Sequence, residues 1–377
     1  MATGRANQRL SINTSGEAPH TLPHGQYEHG SATFPLYHST RKKRRRWPLV
    51  LRFIKGAIHV DIAVPVLLHT AWASFVAWLE WRLDGHLSLP GSIIPGLSIV
   101  VGLMLVFRNQ TSYDRFWQGN VGLTTISASI RNLTRTFLTC SYATGREPPT
   151  AAERADTERT VRILLALIYA AKNHLRAEWG QTLKLLPSLL SDSMESDIRH
   201  RRESTSMAKP EYSELLPPGT QGFEDQGLGL LLQLSVEIEA YIKRGHDRGW
   251  FHAPQASQLQ VQLNTIVMAY GNLETIHLTP LPIASLIHLK QVMALFGIVL
   301  PFGVVAEMKW FAIPMTATIM FTLYGIEAIG AQLEDPFGYD RNDIKVDAIV
   351  EDLRVETGVL LEEWKSGSAI FPQNKLV

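Results

Sequence analysis

The chain has 377 residues, with 36 basic and 35 acidic side chains and a formal charge of +1. This balance is unlike that of a nucleic-acid-binding domain, which concentrates positive charge to contact the phosphate backbone. The single cysteine excludes an intrachain disulfide framework and a paired-cysteine redox motif. The mean hydropathy is zero, but the apolar residues concentrate near 57–107 and 281–333, which indicates two membrane blocks.

The N-terminal segment, residues 1–46, is predicted to be disordered and ends in a basic run. Its first 40 residues are rich in Ser, Thr, Gly, Pro and His and lack the apolar core of a signal peptide. Scattered arginines leave an organellar presequence open. Residues 41–46 are all Arg or Lys. Beside an apolar segment they favour the cytoplasmic face of a membrane, with a solvated charge run or a nuclear signal as alternatives.

The first membrane block, residues 47–110, is predicted to hold two spans. Residues 62–79 have about the length needed to cross a hydrocarbon core. They end at residues typical of a membrane interface, Glu80, Trp81 and Arg82. The second span covers 89–107 and is expected to stop at Arg108.

Residues 111–278 are predicted to form a helical cytosolic domain, because no stretch there is both long and apolar enough to span a membrane. Apolar periodicity predicts helices near 159–179, 226–244 and 255–277. Two breaks separate them, at 144–156 and 191–224, and the second is predicted to be a mobile loop.

Residues 279–333 form the second predicted membrane block, with spans over 281–305 and 311–332. The C-terminal segment, 334–377, is charged and has helical periodicity at 349–364. Four spans place both termini and the polar centre on one side, and the excess of Arg and Lys there makes that side cytoplasmic. The predicted fold is an all-α, multi-pass integral membrane protein with four transmembrane helices per subunit and a large helical cytosolic domain.

The sequence contains none of the common catalytic motifs, GxxxxGK[ST], GxGxxG, GxSxG or HExxH. Its histidines are dispersed and do not converge on the spacing of a metal site. The sequence therefore predicts a protein that is not an enzyme and requires no cofactor.

Ile99, Leu103 and Phe107 recur every four residues in the second predicted span, so they share one helix face. In a lone span this face would contact lipid or a neighbouring helix. Copies of the helix around an axis would instead present stacked apolar rings, a constriction that gates by dewetting. The spacing alone leaves both interpretations open.

Three segments resemble the bestrophin family in its bacterial, plant and fungal branch. They are FRNQTSYDRFWQGN at 107–120, TPLPIASLIHL at 279–289 and QLEDPFGYDRND at 332–343, in the family's order and spacing. The resemblance covers roughly residues 47–364. It implies a homopentamer of four-span subunits around one axial pore that conducts small ions, usually anions, passively. It also implies that Ile99, Leu103 and Phe107 form the neck of that pore, although Leu103 departs from the aromatic residues that the family often has at the inner two rings.

The polar and aromatic collar after Phe107 is interpreted as support rather than as a catalytic site. Arg108, Asp114 and Arg115 are expected to end the apolar span and to tie it to the cytosolic domain through ion pairs. Phe116 and Trp117 stand where the family often has two tryptophans, and they are expected to wedge the helix against its neighbours.

Animal members of the family bind Ca²⁺ after the fourth helix, so the resemblance implies a candidate calcium site here. Asp340 and Asp343 match side-chain ligands, whereas Gln332 and Asp335 match positions that contribute backbone carbonyls. Ca²⁺ prefers about six to eight oxygen ligands, several of them carboxylates, and the acidic run is interrupted by Arg341 and Asn342. The alternative is turn capping together with a salt bridge to a neighbouring subunit.

The predicted function is a passive anion channel for chloride, nitrate or bicarbonate. Its expected partners are a lipid membrane, small inorganic anions and further copies of the chain, with no nucleic acid. A cation-conducting homologue and a non-conducting membrane scaffold or regulatory subunit are the alternatives. The plasma membrane is favoured and an organellar membrane stays open. The resemblance also implies a second, cytosolic constriction within 249–259.

Overall fold

The structure, a computed structural model, describes residues 58–83, 89–141, 149–176, 215–216, 228–340 and 342–367. The predicted N-terminal segment 1–46 lies outside the described residues, and so does nearly all of the predicted loop 191–224. Within the described ranges the regular structure is helical and contains no strand, which confirms the all-α prediction.

The helices have the following bounds in chain order: α1 His59–Arg82, α2 Ile93–Cys140, α3 Ala151–Leu175, α4 Leu230–Asp247, α5 Ala253–Leu278, α6 Ile283–Met308, α7 Ala312–Glu334 and α8 Val346–Ser366. A short 3₁₀ turn, Lys309–Phe311, joins α6 to α7. The predicted helices at 159–179, 226–244, 255–277 and 349–364 correspond to α3, α4, α5 and α8, with ends shifted by several residues.

Three helical stretches of the described chain are long and apolar enough to cross a membrane: His59–Arg82, Ile93–Cys140 and Ile283–Glu334. The third contains both α6 and α7. Between them Lys309 adopts a positive φ of 49°, and the two helices then pack against each other. Their shared core with α2 contains Leu289, Met293, Phe296, Leu300, Met320, Val101 and Leu105.

Helix α1 packs against α6 and α7 in this apolar block. Val76 and Ala77 of α1 are buried with Val305 and Ala312, and Trp72 Nε1 donates a hydrogen bond to the carbonyl of Ile298 at 3.0 Å. At its end Arg82 stacks on Trp78 at 5.5 Å and on Trp81 at 5.7 Å. Aromatic and cationic side chains of this kind are favoured at a membrane interface.

Helix α2 has 48 residues, so at a rise of about 1.5 Å per residue it is about 72 Å long. The prediction that the second span stops at Arg108 concerns the membrane segment, and the helix itself continues without a break to Cys140. The predicted domain boundary at residue 110 therefore lies inside a helix. A change from apolar to polar residues ends a membrane environment but does not interrupt helical hydrogen bonds, and no proline follows Pro95 in α2.

The second half of α2 packs against α3, α4, α5 and α8. Phe137 of α2 meets Tyr241 at a ring distance of 4.7 Å and Phe251 at 6.0 Å, and all three residues are buried. Gly122 permits a close approach to α5, since a Cβ there would lie 2.6 Å from Leu273 Cδ2. The extramembrane helices are thus organised around the continuation of a membrane helix.

Helix α3 begins at Ala151, so the predicted break at 144–156 is wrong in its second half. The hydroxyl of Thr150 accepts a hydrogen bond from the backbone N–H of Glu153 at 3.3 Å. The carboxylate of Glu153 in turn accepts from the backbone N–H of Thr150 at 2.9 Å. This capping box provides acceptors for two backbone N–H groups at the helix start that have no intrahelical acceptor. The sequence pattern Thr-x-x-Glu predicts it.

Candidate functional site

The three predicted neck residues lie on one exposed face of α2. Ile99 is 69% exposed, Leu103 53% and Phe107 64%, whereas Val101 and Leu105 on the opposite face are buried. At about 100° per residue the three side chains fall within an arc of about 80°. The structure therefore brings Ile99, Leu103 and Phe107 together as an uncovered apolar row.

The same face stays exposed along most of the helix, and we call it the α2 stripe. Its members are Ile99, Leu103, Phe107, Gln110, Asp114, Trp117, Val121, Thr124, Ala128, Arg131 and Arg135. From Ile99 to Arg135 the stripe extends about 54 Å, whereas a hydrocarbon core is about 30 Å thick. Lipid can therefore cover only part of a stripe that includes the exposed aromatic Trp117.

Arg115 lies beside the stripe and joins α2 to the ends of two other helices. Its Nη1 donates to the carbonyl of Thr279 at 2.7 Å and its Nη2 to that of Ile276 at 2.6 Å, at the end of α5. Its Nε donates to the carbonyl of Glu334 at 3.1 Å, at the end of α7. Carbonyls at helix ends lack intrahelical donors and carry partial negative charge, so one guanidinium stabilises both ends.

Arg108 enters a group of charges between α2, α6 and α7 that is buried at Arg108 and exposed at Lys290. Its side chain is 7% exposed, and its Nη2 lies 3.2 Å from Glu334 Oε2 and 3.9 Å from Glu327 Oε1. Lys290 Nζ of α6 approaches Glu327 Oε1 at 3.7 Å. Two cations thus face two carboxylates, which offsets part of the cost of burying charge. The Nε and Nη1 groups of Arg108 are buried without a hydrogen-bond partner.

Asn109 and Glu327 contribute to the α2–α7 contact although the sequence analysis did not single them out. Asn109 Nδ2 donates to the carbonyl of Ile326 at 3.1 Å, and a Cβ on Gly330 would lie 3.2 Å from Asn109 Oδ1. For Glu327 a signal existed, because an acidic residue inside a predicted span is costly to bury and marks an internal contact. Asn109 had no comparable signal.

Arg108 and Arg115 hold α2 to other helices, but their partners differ from those that the sequence suggested. Arg108 forms ion pairs with α7, a membrane-block helix rather than the extramembrane part. Arg115 binds backbone carbonyls instead of carboxylates. Asp114 is exposed and accepts a hydrogen bond from Gln110 Nε2 at 2.9 Å, while Phe116 is half-buried and Trp117 is 54% exposed.

The candidate calcium ligands lie in the turn between α7 and α8, where their oxygens bind groups of the turn itself. Asp343 Oδ2 accepts from the backbone N–H of Asp340 at 2.6 Å, and Gln332 Oε1 accepts from Asn342 Nδ2 at 2.7 Å. Asp335 Oδ1 accepts from the backbone N–H of Phe337 at 3.4 Å. Burial raises the pKa of the Asp343 carboxyl; the hydrogen bond from the Asp340 backbone and the charge of Lys345 offset part of this rise, whereas the carboxylates of Asp340 and Asp335 add to it.

The turn is closed by its own hydrogen bonds, while Asp343 Oδ1 is buried without a hydrogen-bond partner, so the candidate calcium site stays a prediction. Lys345 Nζ donates to the carbonyl of Asp340 at 3.3 Å, which adds a cation to the turn. In the part of the chain that the structure describes, no group of three or more His, Cys, Asp or Glu side chains could hold a metal ion. The hydrogen bonds instead have the pattern of a capped turn.

The turn is anchored to α3 by Arg176, whose side chain is 5% exposed. Arg176 Nη1 lies 2.8 Å from both carboxylate oxygens of Asp347, its Nε donates to the carbonyl of Phe337 at 3.2 Å, and its guanidinium stacks on Tyr339 at 4.5 Å. Burial alone would raise the pKa of the Asp347 carboxyl, but the hydrogen bond and charge of Arg176, together with Lys172, lower it. The first turn of α8 is thereby fixed to the end of α3.

These features define an α-helical membrane protein in which one long helix carries an exposed face from the membrane into the extramembrane part. Residues 38–359 match the family described as bacterial/fungal bestrophin protein. The chain belongs to this bestrophin family, as the three segments of the sequence predicted.

Curated relatives and solved structures agree with this assignment. A voltage-dependent anion channel-forming protein of Synechocystis is 30% identical over 341 residues, which are 88% of this chain and 97% of that protein. A protein of the same description from Nostoc is 33% identical over 313 residues, 82% of this chain and 90% of the relative. A single-site variant of a bestrophin homologue from Klebsiella pneumoniae has a TM-score of 0.62 at 20% identity and covers 80% of this chain and 98% of its own, a likeness of fold.

Proposed function

We propose that the chain is a pore-forming subunit of a passive anion channel. In this proposal α1, α2, α6 and α7 are four transmembrane helices, and five copies surround an axis with the α2 stripe facing it. The permeant ions are small inorganic anions such as chloride, nitrate or bicarbonate. Both the Synechocystis and the Nostoc relative are named as voltage-dependent anion channel-forming proteins, which supports the choice of anions.

The observation that carries the proposal is the α2 stripe. Exposed apolar residues on α1, such as Val64, Leu67 and Leu68, are explained by contact with lipid. The α2 stripe is longer than a hydrocarbon core and includes exposed Trp117 and Val121 in its polar half. A face that changes from apolar to polar along one axis, and that no helix of the same subunit covers in the described residues, suits the lining of a pore.

Ile99, Leu103 and Phe107 would then form three apolar rings about 6 Å apart along the pore. A ring of large apolar side chains excludes water when it is narrow and admits hydrated ions when the helices move apart slightly, so it acts as a gate by dewetting. Arg108 and Arg115, directly below, hold α2 to α5 and α7 and would transmit movements of those helices to the neck.

The orientation follows from the loop charges. With four spans, the extramembrane helices and both termini share one side with the six basic residues at 41–46, Arg131 and Arg135. This side is the cytoplasm by the positive-inside rule, and we place the channel in the plasma membrane. No step of the proposed mechanism uses a bound metal.

The proposal is tested by reconstituting the purified chain into planar bilayers with a tenfold chloride gradient. The expected result is a set of unitary currents whose reversal potential shifts toward the chloride equilibrium potential. Replacing Ile99, Leu103 and Phe107 together by Ala removes the apolar rings and is expected to raise the open probability and the conductance.

The matched control replaces three exposed apolar residues of α1, Val64, Leu67 and Leu68, by Ala, which should leave gating unchanged. Absence of current in repeated preparations of folded protein would exclude the channel and favour a scaffold. A reversal potential that follows the cation gradient would indicate the cation-conducting alternative. Equal effects of the two triple substitutions would show that the neck is assigned wrongly.

A further inference from the structure

Asp114 is the one acidic residue of α2, a helix that contains four arginines. We propose that its carboxylate lowers the anion-to-cation permeability ratio of the pore, because its negative charge repels anions directly below the apolar neck. The inference rests on the proposed function, because it assumes that the α2 stripe faces the permeation path. It adds a charge-selecting group to that path.

The position of Asp114 on the helix places it under the neck. Counted at about 100° per residue, its direction lies between those of Leu103 and Phe107. It follows Phe107 by seven residues, which corresponds to about 10 Å along the helix axis. An ion that passes the ring of Phe107 would therefore meet the carboxylate within two helical turns.

The charge of Asp114 is not neutralised by its neighbours. Among the described residues no cation forms an ion pair with it, and its hydrogen-bond donor is the uncharged side chain of Gln110 at 2.9 Å. The adjacent Arg115 uses its donors on the carbonyls of Ile276, Thr279 and Glu334. Arg108 faces Glu334 and Glu327 on the buried side of the helix.

Gln110 lies one turn above Asp114 on the same stripe, and its amide orients the carboxylate without adding charge. In an assembly around an axis, each copy contributes one such carboxylate, so the charges repeat at a single level. Rings of Asp or Glu attract cations and repel anions in channel pores. The neck supplies no charge of its own, so this level lowers the preference of the path for anions without reversing it, and Arg131 and Arg135 lie further along the same stripe.

The test compares wild-type protein with Asp114→Asn in planar bilayers under a tenfold NaCl gradient. The amide keeps the shape and the contact with Gln110 but removes the charge. We expect the chloride-to-sodium permeability ratio to rise by about threefold or more at 0.1 M mean salt. At 1 M salt, where charges are screened beyond about 3 Å, the difference between the two proteins should nearly vanish.

Two further variants separate selectivity from folding. Asp114→Glu retains the charge and is expected to keep the wild-type ratio. Asp247→Asn neutralises another exposed carboxylate, at the end of α4 and outside α2, and is expected to change nothing.

The outcomes distinguish this inference from the channel proposal. If the wild-type protein carries no current, the channel proposal itself fails. If the wild-type protein conducts and Asp114→Asn leaves the reversal potential unchanged at low salt, Asp114 does not select charge although the channel stands. A shift that persists at 1 M salt would assign Asp114 a structural role instead.

Discussion

At the level of single residues, Arg115 is the point where three helices are held together. Its three donors bind carbonyls at the ends of α5 and α7, and a lysine has a single donor group that cannot span them. We expect Arg115→Lys to lower the free energy of unfolding by about 2–4 kcal/mol, because hydrogen bonds from charged groups contribute about 1.5–3 kcal/mol each and lysine keeps some of them.

The measurement is the thermal unfolding midpoint of the purified protein in detergent, together with its elution volume. Arg135→Lys is the matched control, since Arg135 is an exposed arginine of the same helix and should tolerate the change. Equal midpoints for the two variants would contradict the role of Arg115 as a clamp.

The sequence could identify the collar residues but not all of their partners. Arg115 stood out as a cation at the end of an apolar segment, which made an ion pair the natural expectation. Its partners are backbone carbonyls of residues 276, 279 and 334, and a carbonyl has no residue-specific signature. Asp114, by contrast, could be placed on the stripe from helical periodicity alone.

At the level of elements, long apolar runs in the sequence coincide with long helices of the structure. Predicted spans at 62–79, 281–305 and 311–332 lie within or close to α1, α6 and α7. For α2 the same signal could not give the end of the helix, since hydropathy falls at Arg108 while the backbone stays helical to Cys140. The prediction of the neck did not depend on where α2 ends, because the helical repeat alone places Ile99, Leu103 and Phe107 on one face.

The contact between α2 and α5 gives a prediction at this level. A Cβ at Gly122 would lie 2.6 Å from Leu273 Cδ2, so Gly122→Ala must push the two helices apart or move a buried leucine. Overpacking of this kind costs about 1–3 kcal/mol. We expect a lower unfolding midpoint for Gly122→Ala, partly restored when Leu273→Ala removes the opposing side chain.

Gly271→Ala is the matched control on α5, because a Cβ there meets nothing within 4 Å. It is expected to be neutral or to stabilise the helix by up to about 1 kcal/mol, since alanine is the better helix former. If Gly122→Ala behaves like Gly271→Ala, the close approach of α2 and α5 is not required for stability.

At the level of the whole molecule, the extramembrane helices are joined by charged contacts that respond to pH. His174 of α3 lies 3.4 Å from Glu274 Oε1 of α5, with the rings of Tyr270 and His277 at 5.5 and 6.5 Å. Burial lowers the pKa of the His174 imidazole, the charge of Glu274 raises it in part, and His277 lowers it further.

A histidine whose pKa is lower in the folded state binds fewer protons there than in the unfolded chain. The free energy of unfolding therefore decreases as the pH falls below about 6.5, the pKa of histidine in the unfolded chain. We expect the wild-type unfolding midpoint to decrease from pH 7 to pH 5.5 and His174→Gln to flatten this dependence. Thermal unfolding at several pH values across that range measures the slope of the midpoint against pH. The control is His252→Gln, which replaces an exposed histidine at the start of α5.

An unchanged slope in His174→Gln would mean that other groups cause the loss of stability in acid. A flattened slope would instead locate the response at the α3–α5 contact, next to the α5 end that Arg115 ties to the neck helix.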